Sequence, residues 1–121
     1  MTETQIQDAL SLVHSFMELP AGWCHGYESP PTQQTYDLAE KLLHQWQILP
    51  MDVDVLPFDK GIVLSFSHDE DCVDVEIEDG ALVHVQHERG IGANFSVEAS
   101  IDAPSVETVT QLLRQVTVHA V

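Results

Sequence analysis

The spacing of the apolar residues changes once along this chain, and that change bounds the folds open to it. Before residue 50, Ile6, Ala9, Leu10, Val13, Phe16 and Met17 recur at helical spacing and fall on one face of a helix. Thr2 with Gln5 three residues on has the form of a capping box at its start. Pro20 and Gly22 end it. A second helix is expected after Pro30-Pro31, with Thr32 as its N-cap and Tyr36, Ala39, Leu42, Leu43 and Trp46 as its buried stripe. Pro50 stops it.

From about Met51 the period becomes two. Val53 and Val55 alternate with Asp52 and Asp54 before Pro57, which suits an edge strand. Ile62, Leu64 and Phe66 form the next apolar series, then Val73, Val75 and Ile77 against Asp74, Glu76 and Glu78. Ala81, Val83 and Val85 follow, and later Phe95, Val97, Ala99 and Ile101. These series read as an antiparallel meander with one apolar face and one wet face. A two-residue turn at Asp79-Gly80 would set Glu78 opposite Ala81 and Glu76 opposite Val83, charge beside core. The expected hairpin is therefore a three-residue loop, Glu78-Asp79-Gly80, with a bulge at Gly80. It pairs Ile77 with Ala81, Val75 with Val83 and Val73 with Val85, and puts Asp74 opposite His84. Arg89-Gly90-Ile91-Gly92 reads as a loop. A last helix after Asp102-Ala103-Pro104-Ser105 has Val106, Val109, Leu112, Leu113 and Val116 on its apolar side. The expectation is one α+β domain over residues 1–121: two N-terminal helices, an antiparallel meander of four or five strands and a C-terminal helix, in two layers.

Charge is the second constraint. Twenty Asp and Glu face four Lys and Arg, a formal −16. Apolar residues still make up 44% of the chain, enough for a core, so the acidity does not signal disorder. A field of that sign turns nucleic acid and anionic membranes away and attracts basic partners. No apolar run reaches 18 residues, and the N-terminus lacks a signal-peptide pattern, so the expectation is a cytoplasmic chain. In a reducing cytosol, Cys24 and Cys72 are expected as free, partly buried thiols.

Ten acidic residues fall between Asp52 and Asp79, with Lys60 among them. Asp74, Glu76 and Glu78 share one face of a strand at about 7 Å intervals, close to the spacing of phosphates along a nucleic-acid strand. The plain reading is a solvated face. The functional reading is a surface that occupies a basic groove, with Asp69, Glu70, Asp71, Asp74, Glu76, Glu78 and Asp79 as contact charges and Tyr27 as an anchor.

The segment Leu19-Pro20-Ala21-Gly22-Trp23-Cys24-His25-Gly26-Tyr27-Glu28-Ser29-Pro30-Pro31 is the most distinctive in the chain. Its glycines permit unusual backbone angles and its prolines stiffen the exit. Trp23 is expected to plug the gap between the first two helices and the sheet, and Tyr27 is of the type enriched at interfaces. The segment resembles a pattern in a group of small bacterial proteins: a helix, Leu-Pro-x-Gly-Trp-Asp-Gly-Tyr/Glu with prolines, a second helix, then a sheet. Leu19, Pro20, Gly22, Trp23, Gly26, Tyr27, Pro30 and Pro31 match it. Cys24-His25 replaces a single acidic residue, and Asp59-Lys60-Gly61-Ile62-Val63-Leu64-Ser65-Phe66 is similar to its strand entry. The resemblance implies the order of elements over about the first 85 residues and carries no activity.

Chemistry-bearing motifs are sparse. Seven histidines raise the question of a metal, yet zinc takes about four converging ligands. His84 and His87 should face opposite sides of a strand, and His14, His44 and His119 are isolated. His68 and Cys72 flank the acidic turn. Cys24 beside His25 is adjacency alone until the two are shown to meet in space. Asp74 and His84 read as a cross-strand pair rather than as catalytic groups. Gly90-Ile91-Gly92 lacks the rest of a phosphate loop. The expectation is no enzyme, no cofactor and no metal. In its place stands a binding protein that inhibits a nucleic-acid-handling partner as a DNA mimic, of the anti-restriction or anti-CRISPR kind. An immunity protein or antitoxin against a basic toxin uses the same physics. The reading from another class is an accessory subunit of a homodimer or larger assembly.

Overall fold

Both N-terminal helices begin where the polar caps lie. The computed structural model describes residues 1–89, 95–100 and 106–118. Helix α1 spans Glu3–Met17, and its capping box is complete. Gln5 N–H donates to Thr2 Oγ1 at 3.1 Å, and Thr2 N–H donates to Gln5 Oε1 at 2.7 Å. Helix α2 spans Gln33–Gln45 behind Thr32, whose Oγ1 accepts from Thr35 N–H at 3.3 Å. Each such cap satisfies an N–H that the helix leaves open and contributes about 1 kcal/mol.

Five antiparallel strands follow: β1 (Asp52–Phe58), β2 (Gly61–His68), β3 (Asp71–Glu78), β4 (Ala81–Arg89) and β5 (Phe95–Ser100), ordered β1-β2-β3-β4-β5. The edge position expected from Pro57 is the one β1 holds. Helix α3 spans Val106–Val118. No described helix is long and apolar enough to cross a membrane.

The alternation of the strands determines the core. Val55, Leu64, Val75 and Val85 occupy one row across four strands, flanked by Ile62 with Ile77 and by Phe66 with Val73. Against these rows pack Ile6, Ala9, Leu10 and Val13 of α1, Ala39, Leu42 and Leu43 of α2, and Val109, Leu113 and Val116 of α3. Burying each large apolar side chain stabilises by about 1.5–3 kcal/mol. Trp46 is the largest fully buried residue. Its ring meets Phe66 edge-on, centroids 5.4 Å apart, and its Nε1–H donates to Thr110 Oγ1 at 2.7 Å. Tyr36, expected in the α2 stripe, is half-buried at the core's margin, and Thr35 takes the buried position instead.

The hairpin after β3 differs from expectation. Glu78 does pair with Ala81 across a two-residue turn at Asp79-Gly80. Both residues have positive φ, 51° and 79°, the type I′ geometry whose twist matches that of the flanking strands. The bulge lies inside β4 instead. Ile77 opposes Leu82 and Glu76 opposes His84, so Val83 is the extra residue. That one insertion returns Val85 to Val75 and removes the conflict that had argued against the short turn. It also moves His84 from Asp74 to Glu76.

Turns and loops at that end of the sheet are bonded together. Ser29 N–H donates to Asp59 Oδ1, Lys60 N–H to Ser29 O and Gly80 N–H to Thr35 Oγ1, at 2.9, 2.9 and 3.1 Å. The loop before α2 is thereby fixed to the β1–β2 turn. Gly90 to Gly92, Ile101 and the expected cap of α3 lie outside the described residues, as do the side chains of Phe95, Val97 and Ala99.

Candidate functional site

Among the described residues, two features carry chemistry, the outer face of the sheet and the loop between α1 and α2. On the outer face, Asp52 and Asp54 belong to β1, Asp74, Glu76 and Glu78 to β3, and Glu88 to β4. Strand β2 between the first two groups contributes Val63, Ser65 and Ser67. The register sets Asp54 and Asp74 on either side of Ser65, and Asp74 beside Gln86. No two of these carboxylates stand directly opposite each other on neighbouring strands, an arrangement that would destabilise the pair. None of these outward strand positions is a Lys or Arg, and Lys60 lies in the β1–β2 turn at the end of the face, where its carbonyl accepts from Asp79 N–H at 3.3 Å. Lys41 and Arg114 line a groove of about 430 Å³ between α2 and α3, on the helical side.

The expected contact residues divide. Asp74, Glu76 and Glu78 share the outer face as expected. Asp69 and Glu70 are exposed in the β2–β3 turn, and Asp79 is exposed in the turn at the opposite end of β3. Eight residues of strand put roughly 24 Å between those turns, so the charges form a line and not a cluster. Asp71 is on the other side. It alternates with Val73 on the core face, its side chain is 15% exposed, and its Oδ1 lies 3.0 Å from His87 Nε2. His84 Nδ1 is 3.5 Å from Glu76 Oε1, not beside Asp74. Asp52 reaches back to accept from Gln5 Nε2 at 2.9 Å.

The loop between the helices is built around Glu28. Gly22 and Gly26 adopt φ of 74° and 91°, and these turns fold the segment back so that Gly22 N–H donates to Glu28 O at 2.7 Å. The Glu28 side chain, 5% exposed, accepts from the backbone N–H of His25 at 2.8 and 2.9 Å and bonds Nδ1 of the same residue at 2.7 Å. Burial pushes its carboxyl up. The His25 and Glu28 backbone N–H groups and the imidazole outweigh that and hold it at about 2. Cys24 Sγ lies 3.8 Å from Nε2 on the far side of the same ring. Tyr27, 71% exposed, stacks on that ring with centroids 5.9 Å apart.

These residues open onto a cleft of about 500 Å³ walled by Trp23, Tyr27, Leu56, Pro57, Phe58 and Asp59. Trp23 therefore borders the edge strand, and the core plug expected of it is Trp46. The Trp23 Nε1 is buried with no hydrogen-bond partner among the described residues.

No protein family, curated protein or solved structure matches this chain.

Cys24, His25 and Glu28 place one ligand atom each within 4.8 Å of one another. Glu28 is already committed to N–H donors, which leaves a thiol and one ring nitrogen, short of the set zinc takes. The pair Cys24 and His25, read from the sequence as adjacency, does meet in space. The signal was present as Glu28 three positions after His25 in a glycine-bounded loop. Its meaning depends on a chain reversal that spacing alone does not show. Both cysteines are free, but Cys24 is exposed, not partly buried. Cys72 lies near Ser65 Oγ and Asp74 Oδ1, at 3.4 and 3.6 Å, and burial pushes its thiol up. His68 spends its Nδ1 on Pro50 O at 2.8 Å and does not join Cys72.

Proposed function

We propose that this chain is a non-catalytic acidic binding protein whose outer sheet face occupies a basic nucleic-acid-binding site on a partner protein, as a DNA mimic does. The observation that carries this reading is the sidedness of the charge. Asp54, Asp74, Glu76, Glu78 and Glu88 share the outer face with no Lys or Arg at the strand positions between them, while Lys41 and Arg114 sit on the helical side and Lys60 in the β1–β2 turn. With the helices as one layer and the sheet as the second, the outer face is the surface left for a partner. Carboxylates at about 7 Å intervals along β3 offer a basic groove a row of anions in place of phosphates. An immunity protein or antitoxin for a basic toxin would use the same face.

Association of this kind releases counterions and weakens steeply with salt. The test is capture of partners from a bacterial extract by the tagged protein at 50 and 500 mM salt. A nucleic-acid-handling protein held at low salt and released at high salt supports the reading. Capture that survives high salt, or recovery of the chain alone, overturns it in favour of an assembly subunit. The exposed Leu56 and Tyr27 beside the edge strand, 53% and 71% accessible, would be that subunit's contact surface.

A further inference from the structure

We propose that Cys24 is a covalent attachment site, a thiol that exchanges with small disulfides whose apolar group seats in the cleft against β1. Cys24, His25 and Glu28 form a line of thiol, imidazole and carboxylate. Glu28 holds a proton on Nδ1 of His25 at 2.7 Å, which leaves the lone pair of Nε2 on the side of Cys24 Sγ, 3.8 Å away. A thiol must lose its proton to attack, and an imidazole fixed in that tautomer is the acceptor. Glu28 is buried under the loop and also bonded to the His25 backbone, so the orienting contact is part of the loop's own fold.

The cleft is the independent observation. A recess of about 500 Å³ walled by Trp23, Tyr27, Leu56, Pro57 and Phe58 adjoins the exposed sulfur. Trp23 lines it, and its indole N–H is buried behind the wall with no acceptor among the described residues. Apolar walls with a few polar groups beside a reactive atom have the form of a ligand seat. Cys72 supplies the contrast within the same chain. It is half-buried in the sheet and faces Asp74, the surroundings of an inert cysteine.

In the exchange, Cys24 Sγ bonds to one sulfur of the disulfide as its proton passes to His25 Nε2. The reagent's S–S bond breaks, and the departing thiolate takes the proton from His25. Cys24 is oxidised to a mixed disulfide while the other half of the reagent is reduced to a thiol. The charge of the chain, formally −16, selects neutral or cationic disulfides over anionic ones.

The test follows 4,4′-dithiodipyridine, a neutral aromatic disulfide, with chelator present and Cys72→Ser as background so that one thiol reports. Cys24 in the folded chain should react about tenfold faster at pH 7 than in the same chain unfolded in urea. His25→Ala and Glu28→Gln should each remove most of that gain. A rate equal to the unfolded chain's, or one unchanged in a folded His25→Ala variant, overturns the proposal. If His25→Ala does not fold, Glu28→Gln decides by the same criterion. Leu56→Ala should slow the aromatic reagent and spare cystamine, and equal slowing of both removes the cleft from the argument. Cystamine should outpace glutathione disulfide about tenfold at low salt and lose most of that lead at high salt. Equal rates at low salt overturn the charge selection.

Discussion

Trp46 and Thr110, 64 residues apart, share a buried hydrogen bond of 2.7 Å from the indole N–H to the threonine Oγ1. It ties α3 to the C-terminal end of α2 at the centre of the core. Thr110→Val keeps the shape and removes the acceptor, leaving the N–H buried and unpaired. The cost should be about 1–3 kcal/mol in urea unfolding, with Thr110→Ser close to the parent. Equal midpoints for the valine and serine variants would show that the bond is not formed.

Gly61 is required for another reason. A Cβ at this position would lie 1.9 Å from the carbonyl oxygen of Ile77 on the neighbouring strand. Neither backbone can yield without breaking the β2–β3 ladder. Gly61→Ala should therefore destabilise by about 3 kcal/mol or more, read as a lowered unfolding midpoint or as loss of soluble protein.

Glu28 predicts a pH effect of definite sign. Its carboxyl titrates near 4.5 when unperturbed and at about 2 in the fold. Its stabilising contribution is complete above 4.5 and is lost as pH falls through about 2. The difference in urea midpoint between the parent and Glu28→Gln should be largest above pH 5 and vanish towards pH 2. A difference that stays constant across this range would mean that the carboxylate is not what organises the loop.

The outer face predicts two opposite responses. Reversing Asp74, Glu76 and Glu78 to Lys should abolish partner capture while circular dichroism stays unchanged, since these side chains face away from the core. For the parent alone, added salt should raise the melting temperature by weakening self-repulsion. Normal capture by the triple variant would reduce the acidic strand to a solvated face.

What the sequence conveyed was periodicity. The helical stripe of Ile6, Ala9, Leu10 and Val13 and the alternation of Ile62, Leu64 and Phe66 with Val63, Ser65 and Ser67 identified buried faces that the fold uses. Both caps were legible because Thr2 and Thr32 act on residues three positions away. The β3–β4 register was not. Spacing favoured moving the irregularity into the turn, whereas the backbone preference of Asp79-Gly80 held the turn at two residues and displaced the bulge to Val83. Asp71 was misplaced because it was read with its acidic neighbours and not with the parity of Val73. Glu28 escaped notice because Gly22 and Gly26 announced permissive φ angles without showing that the chain would turn back onto Glu28.

Strand β2 also fixes how the acidic face responds to ionic strength. By placing Val63, Ser65 and Ser67 between the acids of β1 and β3, it holds two anionic lines two strand spacings apart, about 10 Å. That is about the screening length of 0.1 M salt, beyond which a charge's influence falls away. In a salt-replete medium each line acts by itself, and a visiting cation meets two thin rails. In dilute medium the rails merge into one broad field. The neutral strand thus sets the range of ionic strength over which the two rails pass gradually from separate fields to a shared one.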